Sequence, residues 1–274
     1  MGSYSNVYLD NMATAFARLA IAAGEIAMRH YCAGGPVRTK IDDSPVTKAD
    51  EEVEEFLLAA LAEQFPDLPV VAEEQASSGY VPTCSGSFLL VDPIDGTREF
   101  LRENGEFTVN IALIEDGVPR AGAVFAPAVG RLWFGGAHAY VCDVKPGSAL
   151  PDSDGLHEIH ARPCAANEGL VVLESRNHSD ERAEAFLQKV PVKDRRKSGS
   201  SMKFCILAEG QADLYPRFGP TMEWDTAAGD AVLRAAGGFV LDEHGHLLVY
   251  GKQADGFRNP AFLAWGTSPI ETNN

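Results

Sequence analysis

Apolar residues recur at three- and four-residue intervals near the start of the chain, where Met12, Phe16, Leu19, Ala23, Ile26 and Ala27 form one stripe. That period lines one face of a helix, which the run Cys32-Ala33-Gly34-Gly35-Pro36 ends. A second helix is predicted from about Lys48 to Gln64, with Val53, Phe56, Leu57, Ala60 and Leu61 inward and Phe65-Pro66-Asp67 as its stop. Glu51, Glu52, Glu54 and Glu55 fall between those positions and read as a solvated face. Short apolar runs follow at Pro69 to Ala72, Phe88 to Val91, Thr108 to Ile114 and Gly122 to Phe125, parted by Gly, Pro and Asp clusters as sheet strands are. Glu115-Asp116-Gly117 before Val118 is a hairpin signal, so this sheet is at least partly antiparallel.

The segment Cys142 to Pro163 holds three prolines and little periodicity, and marks the boundary between an N-terminal α+β half, 1–150, and a C-terminal α/β half, 151–274. Strands are predicted beyond it at Leu170 to Leu173, Ala212 to Tyr215, Phe239 to Leu241, Leu247 to Val249 and Phe262 to Ala264. Helices are predicted around Asp180 to Val190, Ser201 to Ala208 and Thr226 to Ala236, an alternation that points to an α/β arrangement. The basic tract Lys193-Asp194-Arg195-Arg196-Lys197 reads as a solvated loop.

At 274 residues with 45% hydrophobic and 23% charged residues, the chain can bury a large core and is not a disordered, collagenous or coiled-coil protein. Its net charge of −16 opposes extended contact with a phosphate backbone, so a nucleic-acid polymer is not an expected partner. An acidic protein that handles small anions needs cations as intermediaries, which makes a bound divalent metal a question from the outset. Five cysteines without CxxC spacing fit neither a disulfide framework nor a zinc site, and read as reduced thiols. No apolar run is long enough to span a bilayer. The expected location is the cytoplasm, with peripheral attachment to the inner membrane left open, and the expected state is monomer or homodimer.

The segment Phe88-Leu89-Leu90-Val91-Asp92-Pro93-Ile94-Asp95-Gly96-Thr97 ends a buried strand in two carboxylates three residues apart. Pro93 keeps the chain extended and Gly96 permits a tight turn, so Asp92, Asp95 and the Ile94 carbonyl can be aimed at one point. Oxygen ligands of that kind suit Mg²⁺, and the amides after Gly96 suit a phosphate oxygen. On the residues alone, two readings stand: metal ligands, or short acidic residues capping a turn. Glu73-Glu74 at a strand end adds two carboxylates, or a surface pair. Asp225, in Trp224-Asp225-Thr226-Ala227-Ala228-Gly229, is a further ligand or a plain helix N-cap.

Taken in order, Glu73-Glu74, Asp92-Pro93-Ile94-Asp95-Gly96-Thr97 and Trp224-Asp225-Thr226-Ala227-Ala228-Gly229 closely resemble the signature of the inositol monophosphatase superfamily. Arg98-Glu99-Phe100, Asn104 to Asn110, Gly199-Ser200-Ser201-Met202-Lys203-Phe204 and Leu214 to Pro220 resemble its CysQ-type 3′(2′),5′-bisphosphate nucleotidase branch. The resemblance implies a layered αβαβα sandwich and a Mg²⁺-dependent, lithium-sensitive phosphatase of sulfur metabolism that converts adenosine 3′,5′-bisphosphate to AMP and phosphate. By motif, Glu73, Asp92 and the Ile94 carbonyl hold one metal; Asp92, Asp95 and Asp225 hold a second. A third sits on Glu73 through water, with Glu74 close by. Thr97 with Asp50 resembles the pair that orients and deprotonates the attacking water, although on spacing alone Asp50 is the acidic end of a capping box begun by Thr47. Ser200, Lys203 and Arg217 align with positions that contact the second phosphate or the ribose, and Ser175-Arg176-Asn177-His178 resembles a further substrate loop that includes Ser175 and His178. Gly96, Thr97 and Asp225 border the cleaved phosphate in the same resemblance. The residues alone leave Lys203 and Arg217 open as surface cations. Asp230 departs from the branch, which more often has His or Asn there, and puts base recognition in doubt. An inositol-1-phosphatase or fructose-1,6-bisphosphatase activity is the alternative.

Overall fold

A computed structural model describes residues 5–33, 37–39, 45–164, 168–176 and 181–267. The N-terminal stripe forms α1 (Asn6–Ala33); residues 34–36, expected to stop it, lie outside the described residues. A short antiparallel pair, β1 (Val37–Thr39) and β2 (Pro45–Thr47), leads into α2 (Lys48–Gln64). The α2 boundaries follow from local chemistry. Thr47 and Asp50 form a reciprocal capping box at its start, and the Phe65 amide closes its end on the Leu61 carbonyl.

Seven strands make the larger sheet: β3 (Val70–Ala72), β4 (Ser87–Asp95), β5 (Thr108–Glu115), β6 (Val118–Ala126), β7 (Arg131–Gly135), β8 (Ala139–Asp143) and β9 (His157–Glu158), side by side in that order. The five-residue helices α3 (Glu73–Ser77) and α4 (Thr97–Leu101) sit at the ends of β3 and β4. The hairpin predicted at Asp116-Gly117 joins β5 to β6, with both residues at positive φ, 49° and 79°. The division expected at residue 150 falls between β8 and β9, and β9 still pairs with the larger sheet.

The second sheet, ordered β11-β10-β12-β14-β13, comprises β10 (Leu170–Ser175), β11 (Val192–Ser198), β12 (Leu214–Arg217), β13 (Phe239–Asp242) and β14 (Phe262–Trp265). With it come α5 (Glu181–Leu187), α6 (Met202–Ala208) and α7 (Ala227–Ala235). Two expectations change here. The basic tract is not a loop but the edge strand β11: its charges stay in solvent, Arg195 pairing with Glu174 and Glu184, while its backbone pairs with β10. Leu247 to Val249 is not a strand beyond an isolated bridge from Leu247 to Leu241, because the Gly245 turn, φ 82°, limits the pairing.

Strand alternation sorts the core into layers. On β4, Leu89 and Val91 face α1 and α2 with Val109, Ile111 and Leu113 of β5; Phe88 and Leu90 face inward with Ala112 and Ile114, against α6 and α7. The second sheet covers those helices, and Leu170, Val172, Leu214 and Trp265 on its far side pack with Leu187 of α5. The order is therefore helix, sheet, helix, sheet, helix, the αβαβα sandwich expected. Small residues let α7 close on the larger sheet: a Cβ at Gly122 would come within 2.8 Å of the Ala228 carbonyl oxygen. No helix of the described residues is long and apolar enough to cross a membrane. All five cysteines are free.

Candidate active site

Asp92 and Asp95 are three residues apart, so in a regular strand they would point to opposite faces of the sheet. Register resolves the conflict. Asp92 stands opposite Asn110 and Asp95 opposite Thr108, so three residues of β4 span two of β5. That is a β-bulge at Pro93-Ile94, where Pro93 has no N–H to lose from the ladder, and it brings both carboxylates to the face that meets α6 and α7. Asp92 Oδ1 accepts from the Ile94 amide at 3.0 Å, which holds the bulge locally. Gly96 follows at φ 91°, and a Cβ there would lie 3.2 Å from the Glu106 carbonyl oxygen.

Three other parts of the chain converge on this point. Glu73 opens α3 beside β4, close enough to the Asp92 carboxyl for its charge to act on it. Asp225 stands two residues before α7; Thr226 is the N-cap, and Asp225 Oδ2 instead accepts from the Met222 amide at 2.8 Å. The third part is the turn before α6. Ser200 adopts φ 54° there, and its Oγ donates to Asp95 Oδ2 at 2.6 Å, with the Ser201 amide donating to the same oxygen.

Burial pushes the Asp92 carboxyl well above its ordinary range, and the charges of Glu73, Asp95 and Asp225 push it further. Asp225 is raised for the same reasons, by burial and then by Asp95 and Glu73. Asp95 is raised by burial, with Ser200 and Lys203 pulling the other way. Among the described residues no three side chains are gathered tightly enough to cage an ion as they stand, since these carboxylates engage protein donors. The donor set nonetheless fits a hard cation: it is all oxygen, from four carboxylates and the Ile94 carbonyl, and its mutual repulsion is what a divalent ion relieves.

The model of the Inositol monophosphatase family matches residues 8–264. The chain belongs to this family. It is 43% identical over 250 residues to the 3′(2′),5′-bisphosphate nucleotidase CysQ of Salmonella typhimurium, covering 89% of this chain and 96% of that protein. The protein of the same description from Escherichia coli K12 is 42% identical over 248 residues, with 89% and 96% covered. Among solved structures, CysQ from Bacteroides thetaiotaomicron, described as a bacterial member of the inositol monophosphatase family, superposes with a TM-score of 0.77 at 34% identity, covering 96% of this chain and all of that one. An inositol monophosphatase from Thermotoga maritima, at 22% identity and a TM-score of 0.71 over 95% and 92% of the two chains, shares the fold.

In this inositol monophosphatase family chain, Asp50 serves two partners at once. Its Oδ2 accepts from the Thr47 amide at 2.8 Å and from Thr47 Oγ1 at 2.6 Å, completing the capping box, while Oδ1 lies 3.2 Å from Thr97 Oγ1. Thr97 Oγ1 is also 3.3 Å from the Ile94 carbonyl oxygen. Lys203 is not a surface cation: it is 3% exposed, and Nζ donates to the Ser198 and Ser200 carbonyls. Burial pulls its pKa down to about 8 against the pull of Asp95. Arg217 lies in the same field, donates to the Pro220 carbonyl at 3.1 Å, and has a buried Nε without a hydrogen-bond partner among the described residues. Ser175 ends β10 opposite Ser198. Glu74 lines a groove between α2 and α3. His178 lies outside the described residues.

The sequence reading missed several participants. Thr108 Oγ1 and Asn110 Oδ1 bond the Ser201 hydroxyl, each at 2.8 Å, and carry the turn's hydrogen bonds across to β5. Glu106 holds the Arg176 guanidinium through both oxygens at 2.6 Å and accepts from the Gly199 amide at 3.0 Å, tying the ends of β10 and β11 to the larger sheet. All three lie in the Asn104 to Asn110 motif, to which no roles were assigned. Glu54 is not part of a solvated face: it is 4% exposed and accepts from the Glu74 and Gln75 amides at 2.7 and 2.8 Å, capping α3 so that Glu73 is presented to the site. Asp230 is fully buried on Arg234 and Tyr250, so it is a structural anion within α7.

Proposed function

We propose that this protein hydrolyses the 3′-phosphate of adenosine 3′,5′-bisphosphate, giving AMP and phosphate, with Mg²⁺ as cofactor. The 43% identity to a 3′(2′),5′-bisphosphate nucleotidase over nearly the full length of both chains carries the reading. Glu73, Asp92, Asp95, Asp225 and the Ile94 carbonyl would hold two to three ions, with Glu74 beside them. Bound there, the ions would supply Lewis-acid activation of water and neutralise charge on the transferring phosphoryl group. Thr97 Oγ1 orients the attacking water, and Asp50 Oδ1, at 3.2 Å from that hydroxyl, takes up the proton. The capping bonds from the Thr47 amide and hydroxyl fall on its other oxygen, Oδ2.

Beside this cluster, Lys203 and Arg217 give the uncleaved phosphate two cations, which suit a dianion better than a neutral inositol ring. Ser175, His178 and Ser200 complete the nucleotide contacts, and Gly96, Thr97 and Asp225 border the cleaved phosphate. The N-terminal half, 1–150, thus supplies most metal ligands and the C-terminal half Asp225 and the nucleotide contacts, in a cytoplasmic enzyme. Phosphate release from adenosine 3′,5′-bisphosphate, inositol 1-phosphate and fructose 1,6-bisphosphate, each with Mg²⁺ and with excess chelator, tests this. The nucleotide should lead, chelator should stop turnover, and Ca²⁺, with its longer bonds, should support it poorly. A leading sugar phosphate would overturn the substrate, and turnover in chelator would overturn the metal.

A further inference from the structure

Asp225 stands among carboxylates that repel it, yet helix α7 does little to hold it. The helix begins at Ala227, and its N-cap Thr226 makes no side-chain cap. The turn from Thr221 to Thr226 is gripped instead by a strap, the segment from Gly251 to Asn259 between β13 and β14. Asn259 is the centre of that grip. Its amide donates to the Thr221 carbonyl at 3.0 Å, and its side-chain Nδ2 donates to the Met222 carbonyl at 2.8 Å and to Thr226 Oγ1 at 3.0 Å. One side-chain nitrogen therefore spans the turn on both sides of Asp225.

Glu223 grips in the opposite sense. Its side chain is fully buried, takes Lys252 Nζ at 2.7 Å, and accepts from the amides of Gly251 and Lys252 at 2.6 and 2.8 Å. Its own amide donates to the Phe257 carbonyl at 2.8 Å. A buried anion so fully satisfied is stable only in one place, so the turn is fixed relative to the strap.

We propose that Asn259, seconded by the Glu223–Lys252 pair, is a positioning residue for Asp225 and sets how tightly the second cation is held. The proposal rests on reading the carboxylate cluster as a cation site. Outer groups that orient metal ligands change metal affinity by about 10- to 100-fold when removed, and Asn259→Ala is expected to act on that scale.

The test follows Mg²⁺ in two ways on the full chain: the concentration at half-maximal phosphate release, and the rise of the thermal midpoint with Mg²⁺ in the absence of substrate. Asn259→Ala should move both curves to about tenfold higher Mg²⁺ or more, while KM for the nucleotide at saturating Mg²⁺ stays near wild type. Asp10→Asn is the control for plain destabilisation: it loosens the contact of α1 with the Ala137 and His138 amides and should leave the Mg²⁺ curves in place. Should Asn259→Ala fail to fold, Glu223→Gln keeps an acceptor for the strap and should move the curves in the same direction. Lowered stability with unmoved Mg²⁺ curves would overturn the proposal. If Asp225→Asn also left the curves unmoved, the cluster reading itself would fall, and with it the role of Asn259; a shift in Asp225→Asn alone would overturn only the positioning role.

Discussion

The two oxygens of Asp50 allow the capping role and the chemical role of one carboxylate to be separated. In Asp50→Asn the amide can sit two ways. The Thr47 amide, 2.8 Å from Oδ2, is a fixed donor, so turning the new NH₂ toward it would set donor against donor and leave a buried polar group unpaired, at a cost of about 1–3 kcal/mol. The carbonyl therefore stays on Thr47, the cap survives, and the NH₂ faces Thr97 Oγ1. That reverses the contact: Thr97 can only accept, and its proton turns to the Ile94 carbonyl at 3.3 Å. Stability should fall by no more than about 1 kcal/mol, while loss of the proton acceptor should lower kcat/KM by about 10²- to 10⁴-fold. Thr47→Ala inverts the pattern. It removes the hydroxyl that accepts from the Ala49 amide, costing about 0.5–2 kcal/mol, but leaves Asp50 Oδ1 facing Thr97 and should keep kcat/KM close to wild type. Urea midpoints and phosphate-release kinetics at saturating Mg²⁺ on both variants decide the matter. Near-normal turnover in Asp50→Asn would make Asp50 a cap and nothing more, and equal activity losses in both would mean that it serves chemistry only by holding α2.

Asp95→Asn keeps an acceptor for Ser200 and Ser201 but removes a unit of charge, so a folded protein with at least ~100-fold lower turnover is expected; normal turnover would make Asp95 a turn residue. Arg217→Ala should cost about 10- to 150-fold in kcat/KM on the bisphosphate nucleotide and little on inositol 1-phosphate, and equal losses on both would remove the specificity argument. Lys203→Ala should show the same split with an added loss of stability, since the Ser198 and Ser200 carbonyls lose their donor. Burial and neighbouring carboxylates raise Asp92 and Asp225, so in the metal-free chain their contribution to stability is complete below the ordinary value of 3.8 and is lost as pH rises through the raised value. Where those carboxyls still hold protons Mg²⁺ must displace them, so its binding should tighten with rising pH and release protons, measurable by calorimetry in buffers of different ionisation heat, and binding that releases no proton at any pH would contradict the raised carboxyls.

Much of the scaffold is written locally. The stripe from Met12 to Ala27 needs nothing beyond its own period to be a helix, and α2 carries its cap at Thr47 and Asp50 and its stop at Phe65-Pro66. Asp116-Gly117 specifies its hairpin because both residues tolerate positive φ. The carboxylates of the candidate site are legible too, since Asp92, Asp95 and Asp225 stand in distinctive surroundings. What the chain does not state by itself is which way these groups point. Three-residue spacing in a strand separates Asp92 from Asp95, and only the register against Asn110 and Thr108, with its one-residue bulge, reunites them. Glu54 and Lys203 are polar residues whose solvation looks free until the α3 amides and the Ser198–Ser200 turn arrive to replace water. The basic tract becomes a strand because β10 offers a pairing edge, a condition no local preference of its own residues encodes. Several of these groups found partners far along the chain, 20 residues away for Glu54 with Glu74 and 106 for Asp95 with Ser201, and the desolvation that each must offset exists only once the layers have closed.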